Sequence, residues 1–93
     1  MIKSFRHKGL QKFFENGNVA GIQAVHAPRI RIQLAALNAA TEIGDLKAAT
    51  GWRIHPLKGD MKSHFAMSVS GNWRLTFRFV GEDVELVDYV DYH

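Results

Sequence analysis

The 93-residue sequence has no cysteine, only two prolines and no long apolar run. Without cysteine there can be neither a disulfide framework nor a thiolate metal site. The short apolar runs are broken by charge, so no segment is expected to span a membrane, and residues 1–6 lack the apolar block of a signal peptide. We therefore expect a cytoplasmic protein. Its length and 46% hydrophobic content suit one modest core, hence a single domain over residues 1–93.

Charge is distributed unevenly along the chain. Residues 1–37 carry six Lys or Arg against one acidic residue, and residues 51–80 carry five against one, whereas residues 81–93 carry five acidic residues and no Lys or Arg. If the acidic segment is a strand beside the basic ones, its carboxylates neutralise part of their charge. The cations that remain unpaired then form a local patch, which suits a partner bearing phosphate groups.

The stretch from Gly71 to Phe79 organises the predicted fold. Alternate positions carry large apolar side chains, namely Trp73, Leu75, Phe77 and Phe79. Residues of period two share one face of a strand, so the intervening Arg74, Thr76 and Arg78 share the other. A strand with so aromatic a face belongs in the middle of a sheet, beneath a helical layer. Its arginines are then held on a rigid platform.

The rest of the sequence supplies the other elements of an α+β fold. It predicts a strand over residues 1–6, helices over residues 7–15 and 28–40, and extended segments at residues 52–55, 65–69 and 84–90, with a loop around Pro56 and Gly59. In the second helix Ile30, Leu34 and Leu37 mark the buried face, with Gln33 turned elsewhere. We expect an N-terminal strand and a helical hairpin packed on a mainly antiparallel sheet of four to five strands.

The open face of this sheet collects chemically active side chains. By the same alternation Arg53 and His55 point outward while Ile54 points inward, and Lys58 and Lys62 can reach this surface from the following loop. The last residues, Asp91, Tyr92 and His93, emerge from a neighbouring strand. Such a set can cleave RNA without a metal: a base takes the proton of a 2′-OH, cations stabilise the phosphate, and an acid protonates the leaving 5′ oxygen.

Other features of the sequence suggest no additional chemistry. There is no convincing metal-ligand spacing and no glycine-rich phosphate loop, so neither a metal nor a cofactor is expected. His7, His26 and His64 have no matched partners in the sequence, and we interpret them as solvated or structural.

Four stretches, in this order, resemble the HigB toxins of the RelE/ParE superfamily. They are MIKSFRHKGL at residues 1–10, HPLKGD at 55–60, GNWRLTF at 71–77 and DYH at 91–93. The resemblance implies the toxin of a type II toxin–antitoxin pair, which enters the ribosomal A site and cuts messenger RNA there. Its implied partners are a HigA-type antitoxin, the 70S ribosome and mRNA, with DNA contacted only indirectly through the antitoxin complex and no contact with a membrane.

The resemblance also implies roles for individual residues. It places His55, Asp91, Tyr92 and His93 at catalytic positions, and Lys58 and Arg74 near the scissile phosphate. We expect His93 or His55 to exchange the protons, Asp91 to orient a histidine or raise its pKa, and Tyr92 to stack on or position a base. The remaining expected phosphate-binding cations are Arg53, Lys62 and Arg78.

Two other functions are compatible with the same features. A ParE-like inhibitor of DNA gyrase would catalyse nothing, and the terminal Asp91, Tyr92 and His93 speak against it because a pure binder does not need them. A basic RNA-binding or protein-interaction module predicts that neutralising His55 leaves function intact. In that case loss of Arg74 and Lys58 weakens binding of all sequences alike.

Overall fold

The helices and strands follow one another along the chain in two blocks. In the computed structural model, which describes residues 1–47, 50–59 and 63–92, α1 (Lys8–Asn16) and α2 (Ala27–Ala39) precede β1 (His55–Pro56), β2 (His64–Ser70), β3 (Trp73–Val80) and β4 (Asp83–Asp91). Short 3₁₀ helices lie at Ala24–His26, Ile43–Asp45 and Thr50–Trp52. The strands form an antiparallel sheet in the order β1-β2-β3-β4. The predicted α+β class is confirmed.

Strand β3 lies between β2 and β4, as its aromatic face predicts. Leu75 and Phe77 are fully buried, and Trp73 and Phe79 pack against the same core. The helices cover this face with Leu10, Phe13, Ile30, Leu34 and Leu37. Burying each large apolar side chain contributes about 1.5–3 kcal/mol relative to leaving it exposed. The sheet therefore has one face covered by α1 and α2 and one face that these helices leave uncovered, here called the open face, on which Ala66 and Thr76 are nevertheless buried.

Both helices begin and end close to the predicted positions. At the start of α1, Nδ1 of His7 accepts a hydrogen bond from the Leu10 N–H at 3.0 Å, and Gly17, with φ of 78°, ends the helix. Pro28 occupies the first turn of α2, where its missing N–H is harmless. Among the helices of the described residues, none is long and apolar enough to cross a membrane.

The N-terminal segment contacts the outer edge of β4 without forming a continuous ladder. Ile2 forms a parallel bridge with Val84, and Phe5 forms one with Val87. Between these bridges the Ser4 hydroxyl accepts a hydrogen bond from the Leu86 N–H at 2.9 Å. The strand predicted over residues 1–6 is thus reduced to two bridges, because the edge it follows is not straight at this point.

The irregular edge is a β-bulge in β4. The register with β3 shifts between Thr76 and Arg78, so that Leu86 and Val87 together lie opposite a single residue, and Leu86 has φ of 56°. Val84 and Val87 are both fully buried although they are three positions apart, which strict alternation does not allow. Every later side chain of β4 therefore lies on the face opposite to the one that strict alternation from Val84 would give it.

The segment predicted as extended from Trp52 to His55 is largely irregular. Trp52 ends a 3₁₀ helix and Arg53 has φ of 50°, so only His55 and Pro56 form a strand. Pro56 was expected in the loop, but β1 is an edge strand, where the missing N–H is tolerated. As expected, Ile54 packs against the core while Arg53 and His55 are exposed.

Gln33 departs from the prediction because its side chain is fully buried. Positions 30, 33 and 37 fall on one helical stripe, so Gln33 shares the covered face with Ile30 and Leu37. Its Nε2 donates to the Ser68 carbonyl at 2.7 Å, beside the irregularity that separates Ser68 from Ser70 in β2. The hydrogen bond of Nε2 offsets part of the cost of burying this amide, while its Oε1 is buried without a partner among the described residues.

Two glycines allow the start of α1 to pack on the loop before α2. A Cβ added to Gly21 would lie 2.5 Å from the Cα of Gly9, which forces the backbone to shift. We expect Gly21→Ala to lower the free energy of unfolding by about 1–3 kcal/mol, as overpacking does, measured by urea denaturation. Gly51→Ala is the control: its added Cβ would come no nearer than 3.8 Å to another group, and the change should stay within about 0.5 kcal/mol. Equal midpoints for the two variants would contradict this packing.

Candidate active site

Strand register brings His55 and Arg74 to the same face of the sheet. His55 pairs with Ala66, and Ala66 pairs with Thr76. Directly paired residues point to the same side, and Arg74 lies two positions from Thr76 along β3, so it shares that side. With strands about 4.8 Å apart and about 3.4 Å per residue, the two backbones are on the order of 12 Å apart. An imidazole and an arginine side chain can together span that separation.

The end of β4 places Tyr92 and Asp91 on opposite faces. The Tyr92 N–H donates to the Asn72 carbonyl at 2.8 Å, which extends the pairing with β3 by one residue. Tyr92, 41% exposed, therefore lies on the face of Arg74. Asp91 pairs with Trp73 and belongs to the side of the helices. Of the expected catalytic residues described by the structure, only His55 and Tyr92 share the open face.

The other expected phosphate-binding cations differ in their surroundings. Arg53 and Lys58 are exposed on either side of β1. Arg78 is half-buried and forms an ion pair with Glu85, with 3.0 Å between Nη2 and Oε1. The acidic C-terminal strand thus neutralises part of the basic strand beside it, as the charge distribution predicts. Two of the expected site residues, Lys62 and His93, lie outside the described part of the chain.

The imidazole of His55 is oriented by the backbone. Its Nδ1 lies 3.0 Å from the carbonyl oxygen of Arg53. A carbonyl oxygen only accepts, so Nδ1 carries the proton in this contact. In the neutral ring Nε2 is then the nitrogen with the free lone pair. Because His55 is exposed, Nε2 can take a proton from a bound molecule.

Arg74 is held on the turn between β2 and β3. Its Nη1 donates to the Gly71 carbonyl at 2.6 Å and to the Trp73 carbonyl at 3.0 Å. A guanidinium has five N–H donors, so these two bonds fix its position and leave donors for a phosphate group. A lysine at this position would keep the charge but lose the planar group that the two carbonyls hold.

A carboxylate that sequence reasoning missed lies on the open face. Asp88 is opposite Thr76, in the row of paired residues that begins at His55. Its Oδ1 accepts from the Tyr89 N–H at 2.9 Å. The bulge at Leu86 sets which face Asp88 occupies, and a bulge has no signature in the composition of this strand. No pattern in the sequence separates Asp88 from the other acidic residues of the C-terminal segment.

Behind the end of β4, a buried aromatic cluster joins the strand to the segment before α2. The Tyr89 hydroxyl accepts from the Gln23 N–H at 3.4 Å and lies 2.6 Å from Nδ1 of His26. The Tyr89 ring stacks on Trp73, with 4.4 Å between ring centroids. Burial raises the pKa of Tyr89; the Gln23 hydrogen bond opposes this rise and the charge of Asp91 adds to it. Of the two interpretations open for His26, solvated or structural, the structure supports the structural one.

His64 is a second buried histidine, 7% exposed at the start of β2. Burial lowers its pKa below the ordinary value, and the positive charges of Arg78 and Arg6 lower it further. His64 is therefore neutral at physiological pH. It shares the open face with Ala66, which lies two positions along β2.

None of the expected site residues that the structure describes lines the groove of the helical layer. That groove, of about 320 Å³, is lined by Phe13, Phe14, Gly17, Arg31, Leu34 and Ala35. Across residues 1–47, 50–59 and 63–92, no three His, Cys, Asp or Glu side chains are grouped so that they could hold a metal ion. The chemistry available on the open face is that of an imidazole, a phenol, carboxylates and fixed cations.

These features define a class of protein. Its members are small α+β proteins with an imidazole and a fixed arginine on the open face of an antiparallel sheet. A family model described as "RelE-like toxin of type II toxin-antitoxin system HigB" matches residues 3–93, and the chain belongs to this family. The resemblance carried by four short stretches is thus confirmed over nearly the whole chain, and membership in a toxin–antitoxin family implies an antitoxin partner.

Two curated relatives show how far the similarity extends. The chain is 45% identical to "Endoribonuclease HigB" of Proteus vulgaris over 93 residues, which covers all of both chains. It is also 31% identical over 88 residues to "Beauvericin nonribosomal cyclodepsipeptide synthetase" of Beauveria bassiana, covering 95% of this chain but 2% of that protein. The first similarity spans a complete protein of the same length, and the second spans a small part of a much longer one.

Removing the Tyr89 hydroxyl tests the buried cluster. We expect Tyr89→Phe to lower the free energy of unfolding by about 1–3 kcal/mol, because Nδ1 of His26 loses its buried partner. The melting temperature, followed by circular dichroism, should fall by roughly 4–8 °C per kcal/mol. Tyr92→Phe is the matched control; its ring is 41% exposed, and stability should change by less than about 0.5 kcal/mol. Equal melting temperatures for the two variants would show that the contact contributes little.

The lowered pKa of His64 predicts a pH dependence of stability. The unfolded chain, with an ordinary pKa near 6.5, binds this proton more readily than the folded chain. The stabilisation is complete above that pKa and is lost as pH falls toward the lower folded-state pKa. From about pH 7.5 to about pH 5, the free energy of unfolding of the wild type should fall more steeply than that of His64→Gln, measured by chemical denaturation. Val25→Ala, at an 81% exposed position, should keep the wild-type slope; parallel curves for the wild type and His64→Gln would contradict the assignment.

Proposed function

We propose that this chain is an endoribonuclease, the toxin of a type II toxin–antitoxin pair, which cuts messenger RNA by attack of a 2′-OH on the adjacent phosphate. The observation that carries the proposal is the convergence of His55, Arg74 and Tyr92 on the open face of the sheet. The 45% identity to an endoribonuclease over the full length supports it.

In the proposed reaction Nε2 of His55 takes the proton of the 2′-OH. The 2′ oxygen attacks phosphorus and the bond to the 5′ oxygen breaks, which leaves a 2′,3′-cyclic phosphate and a 5′-OH. Arg74, with Lys58, stabilises the charge on the phosphate, and His93 protonates the leaving oxygen. Tyr92, on the same face, stacks on a base of the RNA. Arg53 and Lys62 are assigned to neighbouring phosphates.

The position of Asp91 restricts the role proposed for it. Asp91 belongs to the face of Trp73, opposite the face of His55. A carboxylate on that side cannot orient the imidazole of His55 across the sheet. We therefore assign Asp91 to the tail, where it orients His93.

Four finer features belong to the same proposal. Cleavage depends on the ribosome, takes place in its A site, needs no metal ion at the cleavage site and occurs in the cytoplasm. Membership in the toxin family supports the first two, and the imidazole of His55 and the guanidinium of Arg74 support the third, since together they can take a proton and stabilise charge without a metal. A HigA-type antitoxin is the proposed inhibitor.

The test is induction of the chain in a bacterial culture, with sequencing of messenger RNA 5′ ends. The wild type should arrest growth and produce new 5′-OH ends inside translated codons. His55→Ala should reduce cleavage by about 10²- to 10⁴-fold, the usual contribution of general acid–base catalysis, without loss of folded protein. Arg74→Ala should be as severe, and Arg74→Lys intermediate because the charge remains. Lys12→Gln removes an exposed cation from α1 and should behave as the wild type.

Two results would overturn the proposal. If His55→Ala arrests growth as well as the wild type does and no new ends appear, inhibition is not enzymatic, and a gyrase supercoiling assay then tests the ParE-like account. If the wild type cleaves no RNA but loss of Arg74 or Lys58 weakens RNA binding equally for all sequences, the chain is a basic binding module.

A further inference from the structure

At the end of the open face remote from Tyr92, His64 and Arg78 carry buried polar atoms that lack hydrogen-bond partners. The two residues pair directly across β2 and β3. His64 is 7% exposed, and both of its ring nitrogens are buried without a hydrogen-bond partner. The Nε of Arg78 is also buried and unpartnered. Buried polar atoms are normally paired, and three of the unpaired ones adjoin in this cross-strand pair, so the cluster is a candidate site for a group that supplies the missing partners.

The charged groups around His64 favour its neutral form. Arg78 faces it from β3, and Arg6 faces it from the N-terminal segment; both oppose a second proton on the ring. On β4, Glu85 is already paired with Arg78 at 3.0 Å, and Asp88 lies in the next row of the sheet. His55 of β1 also lies in that next row. A neutral imidazole presents one N–H donor and one acceptor nitrogen.

The hydrogen-bond donors and the acceptor of His64 and Arg78 distinguish between two groups that RNA can offer, a phosphate and the edge of a nucleobase. A phosphate group has acceptors only; it can satisfy the Arg78 Nε–H and the His64 N–H but leaves the acceptor nitrogen of the ring unpaired. The charge of Arg78 is also partly compensated by Glu85, which weakens attraction for an anion. A nucleobase edge carries donors beside acceptors, and unpaired bases of RNA are read through such edges.

We propose that His64 and Arg78 form a base-reading subsite for substrate RNA, which selects the base at one position near the cut. The base gives a hydrogen bond to the acceptor nitrogen of His64, which a phosphate cannot do, and accepts one from the Arg78 Nε–H; a second acceptor of the RNA takes the His64 N–H. The side chain of Arg78 is 37% exposed and held by one ion pair at Nη2, so breaking that pair lets the end of the guanidinium turn outward and admit the base while Nε stays beside His64. This inference rests on the proposed nuclease function and adds a residue that selects the sequence cut.

The base preference among cleaved sites tests whether His64 and Arg78 select the base at one position near the cut. Messenger RNA ends are mapped after induction of the wild type, His64→Ala, His64→Gln and Arg78→Gln, and the bases at each position around the cut are counted. The preference at one position should fall about five- to thirtyfold in His64→Ala, the loss expected for a base contact. His64→Gln keeps one donor and one acceptor and should retain part of the preference. Lys12→Gln should leave the distribution unchanged. An unchanged distribution in both His64→Ala and Arg78→Gln would overturn the proposal.

A second measurement does not depend on cleavage. In the His55→Ala protein, ¹⁵N NMR of the His64 ring is recorded with short single-stranded RNA of mixed sequence and, separately, with inorganic phosphate. RNA should shift both ring nitrogens while the ring stays neutral, and phosphate should have no effect. If phosphate raises the pKa of His64, the cluster is an anion site and the proposal is wrong. If the wild type cuts no RNA in the first experiment, the nuclease function fails, and the NMR comparison still decides whether His64 contacts a base.

Discussion

The burial of one face of β3 beneath two helices is the constraint on which the open face depends. Leu75 and Phe77 are fully enclosed by side chains of α1 and α2, which fixes the rotation of the strand about its own axis. Arg74 projects from the opposite side and cannot change its direction without exposing those residues to water. The orientation of the polar face is therefore determined by packing on the other side of the sheet, through side chains that never contact a substrate.

Charge compensation across β3 and β4 divides the open face into two regions. At one end the Arg78 guanidinium is paired with Glu85, and a neutral, buried His64 lies opposite Arg78 in the sheet. At the other end Arg74 is held by two backbone carbonyls, which orient it without cancelling its charge. A net charge of +3 for the whole chain conceals this difference. The positive charge of Arg74 is thus held in a fixed position at the turn between β2 and β3.

The parts of the fold that could be predicted are those with a strong period in the sequence. Alternating apolar residues identified β2 and β3, the turn at residues 81–83 marked the start of the last strand, and the spacing of Leu10 and Phe13 identified α1. The two strand faces at His55 and Arg74 followed from the same alternation. In these segments the spacing of the apolar residues matches the face that is buried, so the local sequence pattern and the tertiary structure agree.

The parts that could not be predicted depend on single backbone conformations or on contacts distant in the sequence. The left-handed backbone of Arg53 interrupts a segment that reads as extended. Gln33 lies in the core, where its side-chain amide donates a hydrogen bond to a carbonyl of β2. His26 contacts the hydroxyl of Tyr89, which is sixty-three residues away in the sequence. Neither local propensity nor composition reports such pairings. The roles expected of individual residues came from resemblance to a family, and the pattern alone left them open.

Because of the bulge in β4, the face on which each C-terminal side chain lies depends on the number of residues in the strand as well as on their identity. Leu86 is the extra residue that moves Asp88 and Tyr92 to the open face and Asp91 to the helical side. Loss of one codon here would preserve every later amino acid, yet it would exchange the two faces from that point to the end of the strand. A substitution at Leu86, by contrast, leaves the number of residues in the strand and both faces unchanged. The C-terminal residues are therefore expected to depend more on the length of this strand than on the side chain at the bulge.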